Sequence, residues 1–261
     1  EAKKEMKEGS LMIVSSQIPV GTSKEIIKIL GDKYGYAYMP ELMKIGTGVE
    51  DFMSLQQVFV GVDNDDYKRV ITNVFNGKKV VFVNIATAEM IKHANNAFLA
   101  TSLCFIYDIA DICKAVGADV TDVAKALRSD YRIGYEAYLD ASAGFSGGHL
   151  ERDLDYLHKV AKLMGVGVPV LNAVIKKNTN RRKIVWDCLG NVKNKIVAFW
   201  GVTYKPGAPM SNNSLPAKLI RDMYKLGADV TISDPSLKQT PYGAASGAKG
   251  IVCITPWKEL K

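Results

Sequence analysis

Short apolar runs alternate with amphipathic stretches from Leu11 to about Val83. LMIVSS (11–16), YAYM (36–39), VFVGV (58–62) and VVFV (80–83) read as strands, and SKEIIKIL and DDYKRVITNVF between them carry helical spacing. Strands separated by helices predict a parallel α/β sheet. From Ala86 to about Leu189 the pattern is helical throughout. It opens with TAEMIKHANNAFLATSLCFIYDIADICKAVG, whose apolar residues recur at three and four and which Gly117 closes as a C-terminal cap. ERDLDYLHKVAKLMG and PVLNAVIKKNTNRRKIVWDCLG follow, the latter opened by Pro169 in its first turn. From Lys195 the β-α-β order returns, with KIVAFWGVTY, DVTISDP and GIVCIT as strands and LPAKLIRDMYKLG as a helix ending at Gly227. The expected fold class is α/β, with two doubly wound parallel-sheet units, both incomplete, joined by a central helical domain with one long helix. The corresponding domains are 1–84, 85–190 and 191–261.

Composition narrows the function classes. At 261 residues and 48% hydrophobic, the chain can bury one large core or two to three smaller ones. The four cysteines (Cys104, Cys113, Cys188, Cys253) show no paired spacing and no neighbouring histidine pattern, which argues against a metal site or a disulfide framework and for a reducing, cytoplasmic setting. No apolar run has the roughly 18 residues of a membrane span. The net charge of +7 points to an anionic partner. Its lysines are spread along amphipathic helices without interleaved aromatics and arginines, so a sugar diphosphate suits the charge better than nucleic acid. Because the chain opens at Glu1 within a helical pattern and stops at Lys261 soon after a strand, it is expected to be part of a longer polypeptide.

No GxGxxG follows a strand: Gly46-Thr47-Gly48 continues as Val49-Glu50-Asp51, and Gly165-Val166-Gly167 runs on towards Pro169. Without that turn a pyrophosphate lacks a glycine-lined helix N-terminus, so these residues alone are expected to bind a nicotinamide cofactor poorly.

Several blocks in order carry a family likeness. RIGYEAYLDASAGFSGGHLERD (132–153) resembles RIGxxFLxAGxGFGGSCFPKD, SSQIPVGT resembles STVPVGT, and PELMKIGTGVEDF resembles PEFLxEGTAxxDF. AEMIKHANNAFLA resembles AExxKxxxNxFLA, and GVTYKPGAPMSNNS resembles GxxFKxxTDDxRxS, followed by GADV and DP. These motifs resemble the nucleotide-sugar 6-dehydrogenases, whose dinucleotide fingerprint lies N-terminal to the region covered here. The resemblance implies Rossmann-like outer units, NAD as cofactor, and oxidation of the C6 alcohol of a UDP-sugar to a carboxylate through a cysteine thioester.

On that resemblance, Lys92 and Asn96 are the catalytic lysine and asparagine, which the i, i+4 spacing sets on one helix face. Lysine would stabilise a developing oxyanion and asparagine would orient it or a water; the bland alternative is a solvated polar face. Asp153 matches an aspartate that assists water activation, although a first-turn carboxylate also complements a helix dipole. Arg132 matches an arginine that reaches the neighbouring subunit's substrate, with a surface arginine as the alternative. Tyr138, Gly144, Phe145, Gly147 and Gly148 match the loop around the sugar nucleotide, and Lys205 a lysine that meets the substrate. Pro19 and Glu41, in the STVP-like and PEF-like blocks, are implied on the cofactor side.

The departures fall on chemical positions. His149 stands where the thiol belongs, Ile45 for a glutamate, Gln17 for a threonine, and Pro209, Met210 and Asn212 for an acidic pair and an arginine. Imidazole can act as a base but cannot carry an acyl group through a thioester-like oxidation. The GGH sequence also echoes the GGHC of the N-acetylhexosamine branch, with the cysteine deleted. The expectation is therefore an impaired UDP-glucose-type dehydrogenase, the alternative a silent homologue that binds a nucleotide sugar or serves in assembly. By resemblance the long helix is the core of a homodimer, with Phe98, Leu99, Leu103, Phe105 and Ile109 as its seam. Residues 86–153 are expected to bring Lys92, Asn96, His149 and Asp153 to a common cleft.

Overall fold

The computed structural model describes residues 2–43, 48–146, 149–203, 206, 213–237, 240–255 and 257–260. A short helix, α1 (Ala2–Glu5), precedes a sheet of β1 (Leu11–Val14), β2 (Gly35–Tyr38), β3 (Gln57–Val62) and β4 (Lys79–Val83) in that spatial order, with α2 (Thr22–Leu30), α3 (Gly48–Ser54) and α4 (Lys68–Val74) between the strands. Each strand falls on one of the apolar runs. Parallel pairing joins β1 to β2 and β3 to β4, but β2 and β3 are antiparallel, with Ala37 opposite Val62 and Tyr38 opposite Gly61. The sheet is therefore mixed at one junction where the alternation predicted parallel order throughout. Apolar patterning decides which face of a sheet a residue takes and leaves the direction of its neighbour open.

Alternate residues of β2 fill two cores. Tyr36 and Tyr38 pack with Leu30 and Ala88, whereas Ala37 and Met39 pack with Val58, Val60, Ile71 and Phe75. Helices thus cover both faces, as a doubly wound sheet requires.

The helical segment comprises α5 (Ile85–Val116), α6 (Val120–Ser129), α7 (Leu150–Leu163), α8 (Pro169–Arg181) and α9 (Lys183–Leu189). Asn84 opens α5 by accepting from the Thr87 N–H at 2.7 Å, and Gly117, at φ 76°, ends it. Left-handed backbone costs glycine little, so the predicted stop holds. Asp119 caps α6 through Thr121 N at 2.7 Å. The stretch read as one helix from Pro169 onward divides at Arg182 into α8 and α9.

A second sheet, β5 (Ile196–Trp200), β6 (Asp229–Ser233) and β7 (Gly250–Cys253), has the order β6-β5-β7 and is parallel throughout. It is accompanied by α10 (Leu215–Lys225) and α11 (Pro241–Ala245). Contacts divide the chain into two compact units, Glu1–Asn96 and Ala97–Lys261, so the helical segment from Ala97 onward and the second sheet form one body. Ala143, Val185 and Trp186 pack against the buried Val197, Phe199 and Leu219 of the sheet's core. Lys218 of α10 meets Glu151 of α7 at 2.5 Å and Arg182 meets Asp222 of α10 at 2.9 Å.

Candidate active site

In the first unit, the start of α5 lies on the sheet because β3 has glycine beneath it: a Cβ at Gly61 would come within 2.7 Å of Ile85 Cα and 2.9 Å of Ala88 Cβ. The helix then carries two buried polar pairs, one turn apart within each. Glu89 accepts from the backbone N–H groups of Gly21 at 2.6 Å and Ser23 at 2.8 Å, and His93 Nε2 lies 2.9 Å from the carbonyl of Ile18. Together they tie the segment Ile18–Ser23, including Pro19, to the first turns of α5. A carboxylate at the N-terminus of α2 also complements the helix dipole. Burial raises the pKa of Tyr36, whose hydroxyl bonds Ser23 Oγ at 2.9 Å; the Glu89 charge adds to the rise and the Ser23 bond opposes it.

The second pair is Lys92 and Asn96, each 5% exposed. Lys92 Nζ lies 3.8 Å from Glu41 Oε2, so the structure brings together a predicted catalytic residue and a predicted cofactor-side one. Pro19 and Glu41 follow the carboxyl ends of β1 and β2, the edge at which open α/β sheets bind ligands.

The second unit holds the loop. Gly144, at φ 117°, adopts a left-handed conformation against α8, and a Cβ there would meet Asn178 Oδ1 at 3.1 Å. Asn178 is buried, accepts from Phe145 N–H at 2.8 Å and donates through Nδ2 to the Phe145 carbonyl at 2.9 Å and to Glu151 at 3.3 Å. Arg181, one turn on, donates from Nε to the Ser142 carbonyl at 2.8 Å, pairs with Asp111 and stacks over Tyr107 at 5.1 Å. The Tyr107 hydroxyl completes the ring at 3.0 Å from Ser142 Oγ, and burial pushes its pKa up to about 12. Lys177 bridges Asp108 and Asp111 at 2.6 and 2.8 Å. Partial burial works against ionised Asp111, but its bonds from Lys177 and Arg181 win and hold its pKa down.

His149 is the residue from which α7 starts, and its carbonyl accepts from Asp153 N–H at 3.0 Å. Asp153 is fully buried in the first turn, with Arg152 Nε 3.6 Å from its Oδ1. Arg132 is exposed and paired with Asp130 at 2.5 Å, and Tyr138 is 40% exposed. Gly147, Gly148, Lys205, Ile45, Pro209, Met210 and Asn212 lie outside the described residues. The predicted residues thus divide: Pro19, Glu41, Lys92 and Asn96 belong to the first unit, and Arg132, Tyr138, Gly144, Phe145, His149 and Asp153 to the second. Among the described residues, no group of three His, Cys, Asp or Glu is placed to hold a metal ion.

Sequence reasoning missed Glu89, His93, Asn178 and Arg181 as parts of the site's support. A signal for the last two existed. Val174, Asn178 and Arg181 continue the buried face of α8 at helical spacing, and a polar residue on a buried face needs partners.

Known proteins place the chain. Residues 86–180 match the UDP-glucose/GDP-mannose dehydrogenase family, central domain. UDP-glucose 6-dehydrogenase of Rhizobium meliloti (strain 1021) is 31% identical over 97% of this chain and 64% of its own length. The enzyme of the same name from Rickettsia bellii (strain RML369-C) is 31% identical over 86% of this chain and 55% of its own. The chain therefore spans between half and two thirds of the length of these curated relatives. Two solved structures share the fold: a UDP-glucose dehydrogenase from Pyrobaculum islandicum (TM-score 0.87, 23% identity, 97% of this chain and 65% of that one) and a UDP-D-ManNAc dehydrogenase from Pyrococcus horikoshii (TM-score 0.86, 20% identity, 99% and 65%). The ordered motifs, the matched central domain and the relatives at 31% identity agree, and the chain belongs to the UDP-glucose/GDP-mannose dehydrogenase family.

Proposed function

We propose that this chain is the greater part of an NAD-dependent UDP-sugar 6-dehydrogenase, UDP-glucose being the substrate, whose second oxidation is impaired by His149. The observation that carries the reading is the buried Lys92–Asn96 pair on α5, with Glu41 3.8 Å from the lysine. Burying a cation and an amide side by side costs stability unless they serve a ligand or a network. Lys92 stabilises the oxyanion that forms at C6, Asn96 orients it, and buried Asp153 takes the proton in water activation. Arg132 and the Tyr138–Gly148 loop hold the nucleotide diphosphate, joined by Lys205.

NAD, when bound, supplies the hydride acceptor. Pro19 and Glu41, beyond the carboxyl ends of β1 and β2, fit the wall of its site. The Gly21 end of α2 does not fit its pyrophosphate, because Glu89 already takes the N–H groups of Gly21 and Ser23. The phosphate cradle therefore belongs to other residues.

An imidazole at residue 149 forms no thioester, which favours a second reading, a silent homologue that binds the sugar nucleotide. A homodimer through α5 is supported by Phe98 and Phe105 of the expected seam, which are exposed, with Ile112 at the same seven-residue spacing, whereas Leu103 and Ile109 of that seam pack against this unit's own core. A cytoplasmic location is supported by four free cysteines. Among the described residues, no helix is long and apolar enough to cross a membrane.

The test is NAD reduction and calorimetry with UDP-glucose, on this chain and on the full-length protein, each with and without His149→Cys. The expected result is UDP-glucose binding by the full-length protein, little uronic acid from it, and a gain of about a hundredfold or more on installing the thiol. Binding without turnover even after His149→Cys supports the silent homologue, and ordinary turnover with histidine in place removes the claim of impairment. Failure of the full-length protein to bind removes the UDP-glucose reading.

A further inference from the structure

The geometry points to Asn178 as the positioning residue of the sugar-nucleotide loop: its amide pairs with both peptide groups of Phe145, as a neighbouring strand would, and so fixes the loop backbone at Gly144 and Phe145. The inference rests on the reading of residues 138–148 as the substrate loop. One amide satisfies the N–H and the carbonyl of the same residue at 2.8 and 2.9 Å, a two-point clamp that fixes orientation as well as distance.

Two features make the clamp specific to asparagine. Gly144, directly before Phe145, has φ 117°, and a Cβ would meet Asn178 Oδ1 at 3.1 Å, so the loop and the amide are fitted at close range. Nδ2 also donates to Glu151 at 3.3 Å, and Glu151 is held in turn by Lys218 at 2.5 Å. The amide thus links the loop, α7, α8 and, through Glu151, α10. Arg181 holds Ser142 from the same helix face, so α8 grips the loop at two places three residues apart on each strand of the contact. Asn178 itself needs to touch neither substrate nor cofactor; it acts through the loop.

Charge supplies a test that bulk packing would not reproduce. Asn178→Asp keeps the shape. Ionised, the new carboxylate only accepts, and it faces the Phe145 carbonyl and the Glu151 carboxylate; protonated, it regains one donor and restores both bonds to Phe145. The groups around it are Glu151 on α7, Arg181 and Lys177 on α8, Cys104, Tyr107, Asp108 and Asp111 on α5, and Lys218 on α10. Burial and Glu151 both favour the neutral acid, while Arg181 and Lys218 oppose them. The variant therefore behaves as wild type in acid and loses the clamp as pH rises through the folded pKa of the new carboxyl.

The experiment measures UDP-glucose affinity by calorimetry and Phe145 amide exchange by NMR on the full chain, at about pH 5 and about pH 8, for wild type, Asn178→Asp and Asn178→Asp/Glu151→Gln. At the higher pH the single variant is expected to bind about tenfold or more weaker than wild type and to lose Phe145 protection. At the lower pH both ratios return towards one. Removing the Glu151 charge lowers the pKa of the new carboxyl and so moves the recovery to lower pH, since the repulsion that favoured the neutral acid is gone. Wild-type protection and affinity of Asn178→Asp at the higher pH, or a loss that is the same at both, would overturn the assignment. If wild type binds no UDP-glucose, the substrate reading fails, while Phe145 exchange still decides whether Asn178 holds the loop. An Asn178→Asp chain that unfolds at high pH is read at low pH, where absence of Phe145 protection likewise overturns it.

Discussion

Asp234 shows how much a single buried carboxylate can organise. Its Oδ2 accepts from the N–H groups of Val202 and Thr203 at 2.7 and 3.1 Å, from the Thr203 hydroxyl at 3.2 Å and from the Trp257 indole at 3.2 Å. Oδ1 accepts from the N–H and hydroxyl of Ser236 at 2.9 and 2.6 Å. Burial opposes the charge, but these bonds outweigh it and hold the carboxyl below its ordinary range. A depressed folded pKa contributes stability that is complete above the unfolded value near ~4 and is lost as pH falls through the folded value. Urea unfolding across pH should show Asp234→Asn about 2 kcal/mol less stable at neutral pH, with a flatter acid limb than wild type. Equal acid limbs would remove the carboxylate from this role. That Lys92 and Asn96 share one helix face was legible, because i, i+4 spacing survives in any straight helix, whereas their candidacy as site residues came from the motif resemblance. Asp234 was visible only as the aspartate of a DP turn, since its six donors come from three separate segments.

At the scale of the element, α5 owes its place to what lies under its first turns as much as to its own periodicity. Capping at Asn84, the apolar face and Gly117 are all local, and the helix could be read from end to end. Its seat on β3 depends on Gly61, where a side chain would collide with Ile85 and Ala88. Gly61→Ala is expected to cost about 1–3 kcal/mol by overpacking and to weaken any ligand that contacts Lys92 and Asn96. Gly48→Ala, where no atom lies within 4 Å of the new methyl, serves as the control in thermal unfolding and should be near neutral. The antiparallel step between β2 and β3 and the break between α8 and α9 were not legible, because apolar spacing continues across both.

For the molecule as a whole, the exposed faces of α5 and the division into two compact units set the expectations. Phe98 and Phe105 are 71% and 47% exposed, large apolar side chains on one helical stripe. On the proposed α5 seam, sedimentation velocity is expected to show wild type as a dimer and the double variant Phe98→Glu/Phe105→Glu as a monomer with helix content unchanged; a monomeric wild type or an unaltered dimer would remove the seam from this face. The second unit gathers the helices after Asn96 and the second sheet into one body, because α7 and α9 carry residues that face α10 and its core. A boundary near residue 190 follows the change in secondary structure and is a proposal about folding units, whereas the contacts run across it.

Local patterning decided the strands, the helices, the cap positions and the motif order, since each depends on neighbours a few residues away. The sequence likewise puts a histidine at residue 149, the position on which the proposed impairment rests. Tertiary structure alone decided which groups pay for burial with partners. Glu89 reaches residues 21 and 23, Asn178 reaches 145, and Asp234 reaches 202 and 203. Such pairings join segments tens of residues apart, and a buried polar group acquires them only when packing has removed its water.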